Sequence, residues 1–239
     1  MPRKSFALAI ALLVAGCGQW GGEEGASASR DFPLTGFDQI TATGPVDVEI
    51  HTGAPFQVKA DGAPEALDRL SLRVAGGKLT IGNRPGSFLL SMFGHRASRV
   101  HVSVTMPVIR VANLQGAGDI RVDRAAGDRF ESAIAGAGHV RVGALQTDTA
   151  RLALAGAGGF EAAGAVRRLE ISMSGAGNVH AGDLTAGDIH LAISGVGNLN
   201  ARATGKVTGQ VSGVGNVDIA GTQDCDIKRS GVGTIKCGA

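Results

Sequence analysis

The chain has 239 residues, of which 38 are glycine, 4% are aromatic and none is tyrosine. Its 23 Lys and Arg residues include Arg3 and Lys4 at the N-terminus, so the rest of the chain carries 21 basic and 21 acidic residues and is formally neutral. A nucleic-acid-binding protein should present a basic face and aromatic side chains that stack on bases. We therefore expect no nucleic-acid partner.

The N-terminus is predicted to be a secretory signal. Arg3 and Lys4 precede the apolar run of residues 6–14, FALAIALLV, which falls short of the roughly 20 residues that cross a bilayer. Residues 14–17, VAGC, resemble the lipobox of bacterial lipoproteins. The resemblance implies a signal peptide over residues 1–16, an acylated Cys17 and a membrane anchor, which we expect in the outer membrane, facing the periplasm or the cell surface. The alternative is ordinary signal cleavage a few residues later, which would discard Cys17.

Residues 17–31 are expected to form the acylated cysteine and a flexible tether. The segment is rich in Gly, Ser, Ala and Glu, and such a composition buries too little apolar surface to order itself. The body of the protein is predicted to be one domain over residues 32–239.

In the first half of this body, apolar residues alternate with polar ones over residues 46–50, 70–74 and 100–104. Turn signals separate the three runs, so each is predicted to be a strand. The segment 85–98, PGSFLLSMFGHRAS, interrupts the pattern with an apolar loop. We expect it to cover an end or a side of the body, where it would protect unpaired strand edges. The alternative is contact with a membrane or a partner.

The second half of the chain contains seven G-x-G segments, whose first glycines are 20, 20, 19, 20, 18 and 18 residues apart. Such a period is typical of repeat proteins, in which each unit buries its apolar face against its neighbours. We predict that these glycine pairs are structural turns. They are Gly116 and Gly118, Gly136 and Gly138, Gly156 and Gly158, Gly175 and Gly177, Gly195 and Gly197, Gly213 and Gly215, and Gly231 and Gly233.

The residues around these glycines indicate strands. The second residue before the first glycine is apolar in six repeats, and the fourth residue after it is apolar in all seven. This alternation has the period of a strand with one buried face, and so dense a glycine content opposes a helix. A unit of 18–20 residues is too short for a propeller blade of about 40. It fits one coil of a parallel β-helix with coils stacked about 4.8 Å apart. The predicted fold is therefore all-β, a single-stranded parallel solenoid.

The third residue after each first glycine should form a column along the solenoid, and asparagine there is suited to a hydrogen-bonded ladder. The column is Asp119, His139, Gly159, Asn178, Asn198, Asn216 and Thr234. Calcium-binding repeats need an aspartate in every turn, and a dinucleotide fingerprint needs a helix after its glycines. Neither pattern is present, so we expect no metal and no cofactor.

The serial S-G-x-G-N turns, together with residues 37–50 (FDQITATGPVDVEI) and 102–107 (VSVTMP), resemble the GIN-domain family. This family is also described as a domain of unknown function and as a proposed head of auto-transporter adhesins. The resemblance covers residues 32–237 and implies a right-handed single-stranded β-helix. The family has no assigned catalytic residues, so the resemblance implies none here.

Cys225 and Cys237 lie six residues before and six residues after Gly231. The alternation places both at inward-facing positions of the final coil. Because the cell envelope is oxidising, we predict a disulfide between them that fastens the end of the solenoid. The alternative is a pair of buried free thiols.

Three functions remain open. The first is a non-catalytic envelope lipoprotein that displays the solenoid for adhesion or for binding an unknown protein or glycan. The second is a carbohydrate-active enzyme with carboxylates in a groove; Asp183 and Asp188 are candidates, although the strand pattern places both in connections. The third is an assembly module that stacks its coils against a partner, which unpaired terminal coils would favour.

Overall fold

The computed structural model of the chain describes residues 27–84 and 99–238. The predicted signal peptide, Cys17, most of the tether and the apolar segment 85–98 lie outside the described residues. The strands are β1 (Ala28–Phe32), β2 (Gln39–Ala42), β3 (Val46–Thr52), β4 (Gln57–Gly62), β5 (Leu70–Ala75), β6 (Lys78–Asn83), β7 (Val100–Met106), β8 (Val111–Leu114), β9 (Ile120–Ile134), β10 (Ala137–Leu154), β11 (Ala157–Met173), β12 (Ala176–Ile193), β13 (Leu199–Ala203), β14 (Val207–Val211), β15 (Val217–Ala220), β16 (Cys225–Arg229) and β17 (Ile235–Gly238), and the helix is α1 (Pro64–Arg69).

The glycine repeat forms the predicted solenoid. The strands β9 to β17 pair in parallel, and each repeat stacks on the one before it, with one register shift in each of the pairings β10–β11, β11–β12 and β12–β13. The register aligns the apolar residues four positions after each first glycine, which are Ile120, Val140, Phe160, Val179, Leu199, Val217 and Ile235. One coil therefore takes 18–20 residues, and the prediction of an all-β parallel solenoid is confirmed.

The N-terminal half extends the same solenoid. The strand β2 pairs in parallel with β6 and β8, and β3 pairs in parallel with β7 and β9. The intervening residues add features that a simple coil lacks. The strand β5 forms an antiparallel hairpin with β6, and β4 runs antiparallel to both β1 and β7. The chain reverses into the hairpin at Gly76 and Gly77, whose φ angles of 56° and 74° suit glycine.

The tether predicted over residues 17–31 is too long at its C-terminal end. The strand β1 begins at Ala28 and pairs with β4 as far as Phe32, so residues 28–31 belong to the sheet. Ala28 and Phe32 also pack against the core. The composition of residues 28–31 could not reveal this strand, because the segment is held in place by pairing with β4, about 30 residues further along the chain.

One continuous apolar core runs inside the coils. It is built from alternate residues of the strands, so that outward positions are polar and inward positions are apolar. Of the polar side chains in the described residues, Thr41, Ser132 and Thr147 are buried. Ser132 is satisfied because its hydroxyl donates a hydrogen bond of 2.8 Å to the Ala112 carbonyl oxygen. The described part of the chain contains no helix long and apolar enough to cross a membrane.

Candidate binding surfaces

The predicted glycine pairs lie at one corner of the solenoid, where successive coils approach closely. A Cβ atom added at Gly177 would lie 1.8 Å from the carbonyl oxygen of Gly158 in the coil before it, and one at Gly175 would lie 2.1 Å from the carbonyl oxygen of Gly156. Carbon and oxygen atoms cannot approach so closely. The geometry thus explains why glycine stands at both places in every repeat.

The residue between each pair of glycines points outward. It is alanine in the first four repeats and valine at Val196, Val214 and Val232 in the last three. These valines are 57%, 52% and 72% exposed, and they stack in register through parallel bridges. We call the three the valine column. Their direct neighbours along the chain are glycines, so no charged side chain flanks them in sequence.

The polar column beside this corner is an internal hydrogen-bonded ladder. Asn198 donates from its backbone N–H and from Nδ2 to Oδ1 of Asn178, at 3.0 and 3.2 Å. Asn216 makes the same two bonds to Asn198, and the Thr234 N–H donates to Asn216. The ladder is interrupted at Gly159, where a Cβ would lie 2.8 Å from Cδ2 of His139. Because these amides bond to one another, the column stabilises the stack instead of offering free ligand-binding groups.

Cys225 and Cys237 are bonded in the structure, with a Cα–Cα distance of 6.6 Å. Both half-buried residues pack against the end of the core. The bond joins the strand before the last corner, β16, to the strand after it, β17.

We expect the double variant Cys225→Ser/Cys237→Ser to lose about 2–3 kcal/mol of unfolding free energy, because a short closed loop is opened in the unfolded state. Non-reducing peptide mapping of the envelope protein should recover one peptide pair joined through these residues. Free thiols at both positions would contradict the prediction, as would an unchanged urea midpoint in the double variant.

A charged column that the sequence analysis missed crosses one face. Glu131, Arg151 and Glu170 pair in register on successive coils. Arg151 Nη1 lies 3.9 Å from Glu131 Oε1, and Arg151 Nε donates to Glu170. This hydrogen bond lowers the pKa of Glu170, with smaller contributions from Arg168 and His190, and raises the pKa of Arg151. A general acid needs a raised pKa, so Glu170 is poorly suited to that role.

An open groove of about 560 Å³ lies where β8 meets the bend of β9. Charged side chains line it and pair with each other across it: Arg110 Nε is 3.5 Å from Asp38 Oδ2, and Arg129 pairs with Glu131. The groove is therefore polar and carries one excess negative charge, since Asp128 also lines it. Among residues 27–84 and 99–238, no group of three or more His, Cys, Asp and Glu side chains could hold a metal ion.

The two carboxylates considered for catalysis do not lie where the sequence placed them. Asp183 and Asp188 are within β12, not in connections, because this strand continues through the bend of its coil. Asp188 accepts a hydrogen bond of 3.0 Å from the Lys206 N–H of the next coil. Its carboxylate therefore has a structural role, because it binds the backbone directly before β14.

Several solved structures share this fold. A putative adhesin from Bacteroides fragilis NCTC 9343 superposes with a TM-score of 0.77 at 20% identity, covering 90% of this chain and 97% of that chain. A putative adhesin from Parabacteroides distasonis ATCC 8503 gives a TM-score of 0.66 at 17% identity, covering 90% and 98%. A putative lipid binding protein from the same strain gives 0.63 at 21%, covering 89% and 98%. At these identities the likeness establishes the fold alone.

The family described as "Putative auto-transporter adhesin, head GIN domain" matches residues 36–222. No curated protein matches the chain.

Proposed function

Because the chain belongs to the GIN-domain family of putative auto-transporter adhesin heads, we propose that it is a non-catalytic envelope protein that displays its β-solenoid for adhesion. The proposal rests on the valine column. Three large apolar side chains, each more than half exposed, stand in line on adjacent coils. Contiguous exposed apolar side chains mark contact sites on proteins that are otherwise polar outside.

The surroundings of the valine column favour a protein partner over a glycan. Each valine has a glycine directly before and after it in the chain, so no neighbouring side chain covers the valine side chain. Burying apolar surface contributes roughly 25 cal/mol per Å², and the glycines beside each valine carry no charge that would have to be desolvated. The Arg229 guanidinium does reach the last turn, where it donates to the Gly233 carbonyl oxygen. Glycan recognition would instead use aromatic and polar groups, and the described corner offers no aromatic ring. The rigid hydrogen-bonded stack holds the column in a fixed geometry, which lowers the entropy lost on binding.

An adhesion assay tests this proposal. Beads coated with the full chain should attach to bacterial and epithelial cells, and the triple variant Val196→Ser/Val214→Ser/Val232→Ser should attach about tenfold more weakly, since three apolar contacts are removed. The matched control is Val108→Ser, which changes a valine that is 37% exposed but lies away from the corner. Equal attachment of the triple variant and the wild type would contradict the valine column as the contact site.

We also propose that Cys17 anchors the protein to the membrane, on the basis of the VAGC segment. Two or more acyl chains give stable residence, because each buried methylene contributes about 0.8 kcal/mol. Mass spectrometry of the membrane-extracted protein should show a chain that begins at an acylated Cys17. We expect Cys17→Ser to abolish acylation, whereas Cys225→Ser should leave it unchanged. An unmodified N-terminus further along the chain would refute the anchor.

A further inference from the structure

The last coil of the solenoid has an open edge in the described part of the chain. The strand β16 pairs with β14, and β17 pairs with β15. No described strand pairs with the outer side of either one. Ile227 and Ile235, which point toward the core from these two strands, are only half-buried. Within the described residues, neither the outer backbone groups nor these two isoleucines are covered by another strand.

The hydrogen bonds define which backbone groups point outward. The Val207 N–H donates to the Asp224 carbonyl oxygen, so residues 224, 226 and 228 face the preceding coil. On the other strand the Val217 N–H donates to the Thr234 carbonyl oxygen, and the Gly221 N–H donates to that of Gly238. By the same alternation, the N–H and C=O groups of Ile227 and of Ile235 point away from the solenoid.

We propose that this edge binds the same edge of a second copy, through a two-fold axis that passes midway between Ile227 and its symmetry mate and midway between Ile235 and its symmetry mate. In an antiparallel pair the residue on the axis exchanges both of its hydrogen bonds with its own symmetry mate. The outward backbone groups of both isoleucines meet that requirement. The two isoleucines lie four residues before and four residues after Gly231. The disulfide-bonded Cys225 and Cys237 lie six residues before and six residues after it. This symmetry in sequence is what a single axis shared by both strands requires.

The charges of β16 select this register. With the axis on Ile227, Asp226 lies opposite Lys228 of the second copy, and the symmetry repeats this pair once more. An axis two residues earlier, on Cys225, would place Asp224 opposite Asp226. An axis two residues later, at Arg229, would place Arg229 opposite Arg229 of the second copy. Opposite charges on facing positions stabilise an antiparallel pair, and like charges destabilise it.

In the same arrangement, the strand β17 places no like charges opposite each other. With the axis on Ile235, Lys236 lies opposite Thr234 of the second copy. The far end of the solenoid ends in β1 and β5, which run antiparallel to their neighbours and so present a different edge. A two-fold interface between identical edges is the commonest symmetry of soluble oligomers. It also pairs the β16 and β17 edge on both copies, so that this edge is not left for further growth.

Reversing the charges tests the register. The full chain, purified in detergent, should be dimeric by light scattering corrected for bound detergent. Asp226→Lys and Lys228→Asp should each raise the dimer dissociation constant by about tenfold or more, because each creates two like-charge pairs. The double variant Asp226→Lys/Lys228→Asp restores both opposite-charge pairs and should restore the dimer. Asp128→Lys makes the same charge change at an exposed site far from the edge and should leave the dimer intact.

Two outcomes would overturn the proposal. One is a wild-type chain that stays monomeric at about 100 µM, well above the dissociation constants of specific complexes; charged side chains on β16 and β17 would then act to keep the edge unpaired. The other is a dimer that both single variants leave unchanged. Far-UV circular dichroism of each variant verifies that the solenoid is folded. The adhesion assay tests the valine column separately, so failure of the dimer proposal would not decide the proposed function.

Discussion

Gly177→Val should unfold at a markedly lower urea concentration than the wild type, with a loss of about 3 kcal/mol or more. The added Cβ would lie 1.8 Å from the Gly158 carbonyl oxygen and 3.1 Å from Cδ2 of Leu154. Relief requires the two coils to separate, which breaks the 3.0 Å bond from the Ala176 N–H to the Gly156 carbonyl oxygen. The effect arises from this close approach, since the φ of Gly177 is outside the left-handed range.

The neighbouring residue supplies the control. Ala176 is exposed and pairs in parallel with Val196 in the next coil, where valine is already accommodated. Ala176→Val should therefore change the unfolding free energy by less than about 0.5 kcal/mol, as is usual for surface positions. Both variants add side-chain carbon at adjacent residues of one turn. Equal urea midpoints would show that the corner is not a stack of closely spaced glycine turns.

Phe130→Ala should lose about 3–5 kcal/mol, because it removes a large, fully buried side chain and leaves a cavity. Phe130 has no exposed surface, and it lies in register with Ala150 of the next coil, which is also fully buried. A large residue thus packs over a small one, and the small one cannot fill the space that the ring leaves. Urea unfolding followed by far-UV circular dichroism measures the loss.

Phe130→Leu keeps most of the volume and should cost less than about 1.5 kcal/mol. Both variants remove the aromatic ring, but only Phe130→Ala leaves a large cavity. The difference between their unfolding free energies therefore measures the cost of the cavity. If Phe130→Ala unfolded within about 1 kcal/mol of the wild type, the coils would have to collapse around the missing ring. That result would contradict a tightly packed interior at this level of the solenoid.

The solenoid itself was predictable, because its signal is periodic and local. Each G-x-G corner carries its own alternating residues on both sides, which give the inward positions, and the spacing between successive corners gives the coil length and the parallel stacking. The same alternation placed Cys225 and Cys237 on the inner side of the last coil. In the glycine-repeat region, most residues stack on the residue 18–20 positions away.

The N-terminal half was less predictable, because alternation does not give the direction of pairing. The runs at residues 46–50 and 70–74 look alike in sequence, yet β3 joins the parallel coils and β5 turns back as a hairpin. The strand β1 has no alternating apolar pattern of its own, and it forms because it pairs with β4. The charged column could have been found, since Glu131, Arg151 and Glu170 are 20 and 19 residues apart, the period of the glycines.

The parallel register has a consequence for how the length of this domain can change. In the glycine-repeat region, β11 pairs with β10 on one side and β12 on the other, and its corner has the same chemistry as theirs. An in-frame duplication or deletion of one whole coil would therefore join surfaces that already fit each other. An insertion of an odd number of residues within a strand would instead turn inward side chains outward until the next corner. Evolution can lengthen or shorten this domain in single-coil steps while the two ends keep their own structures.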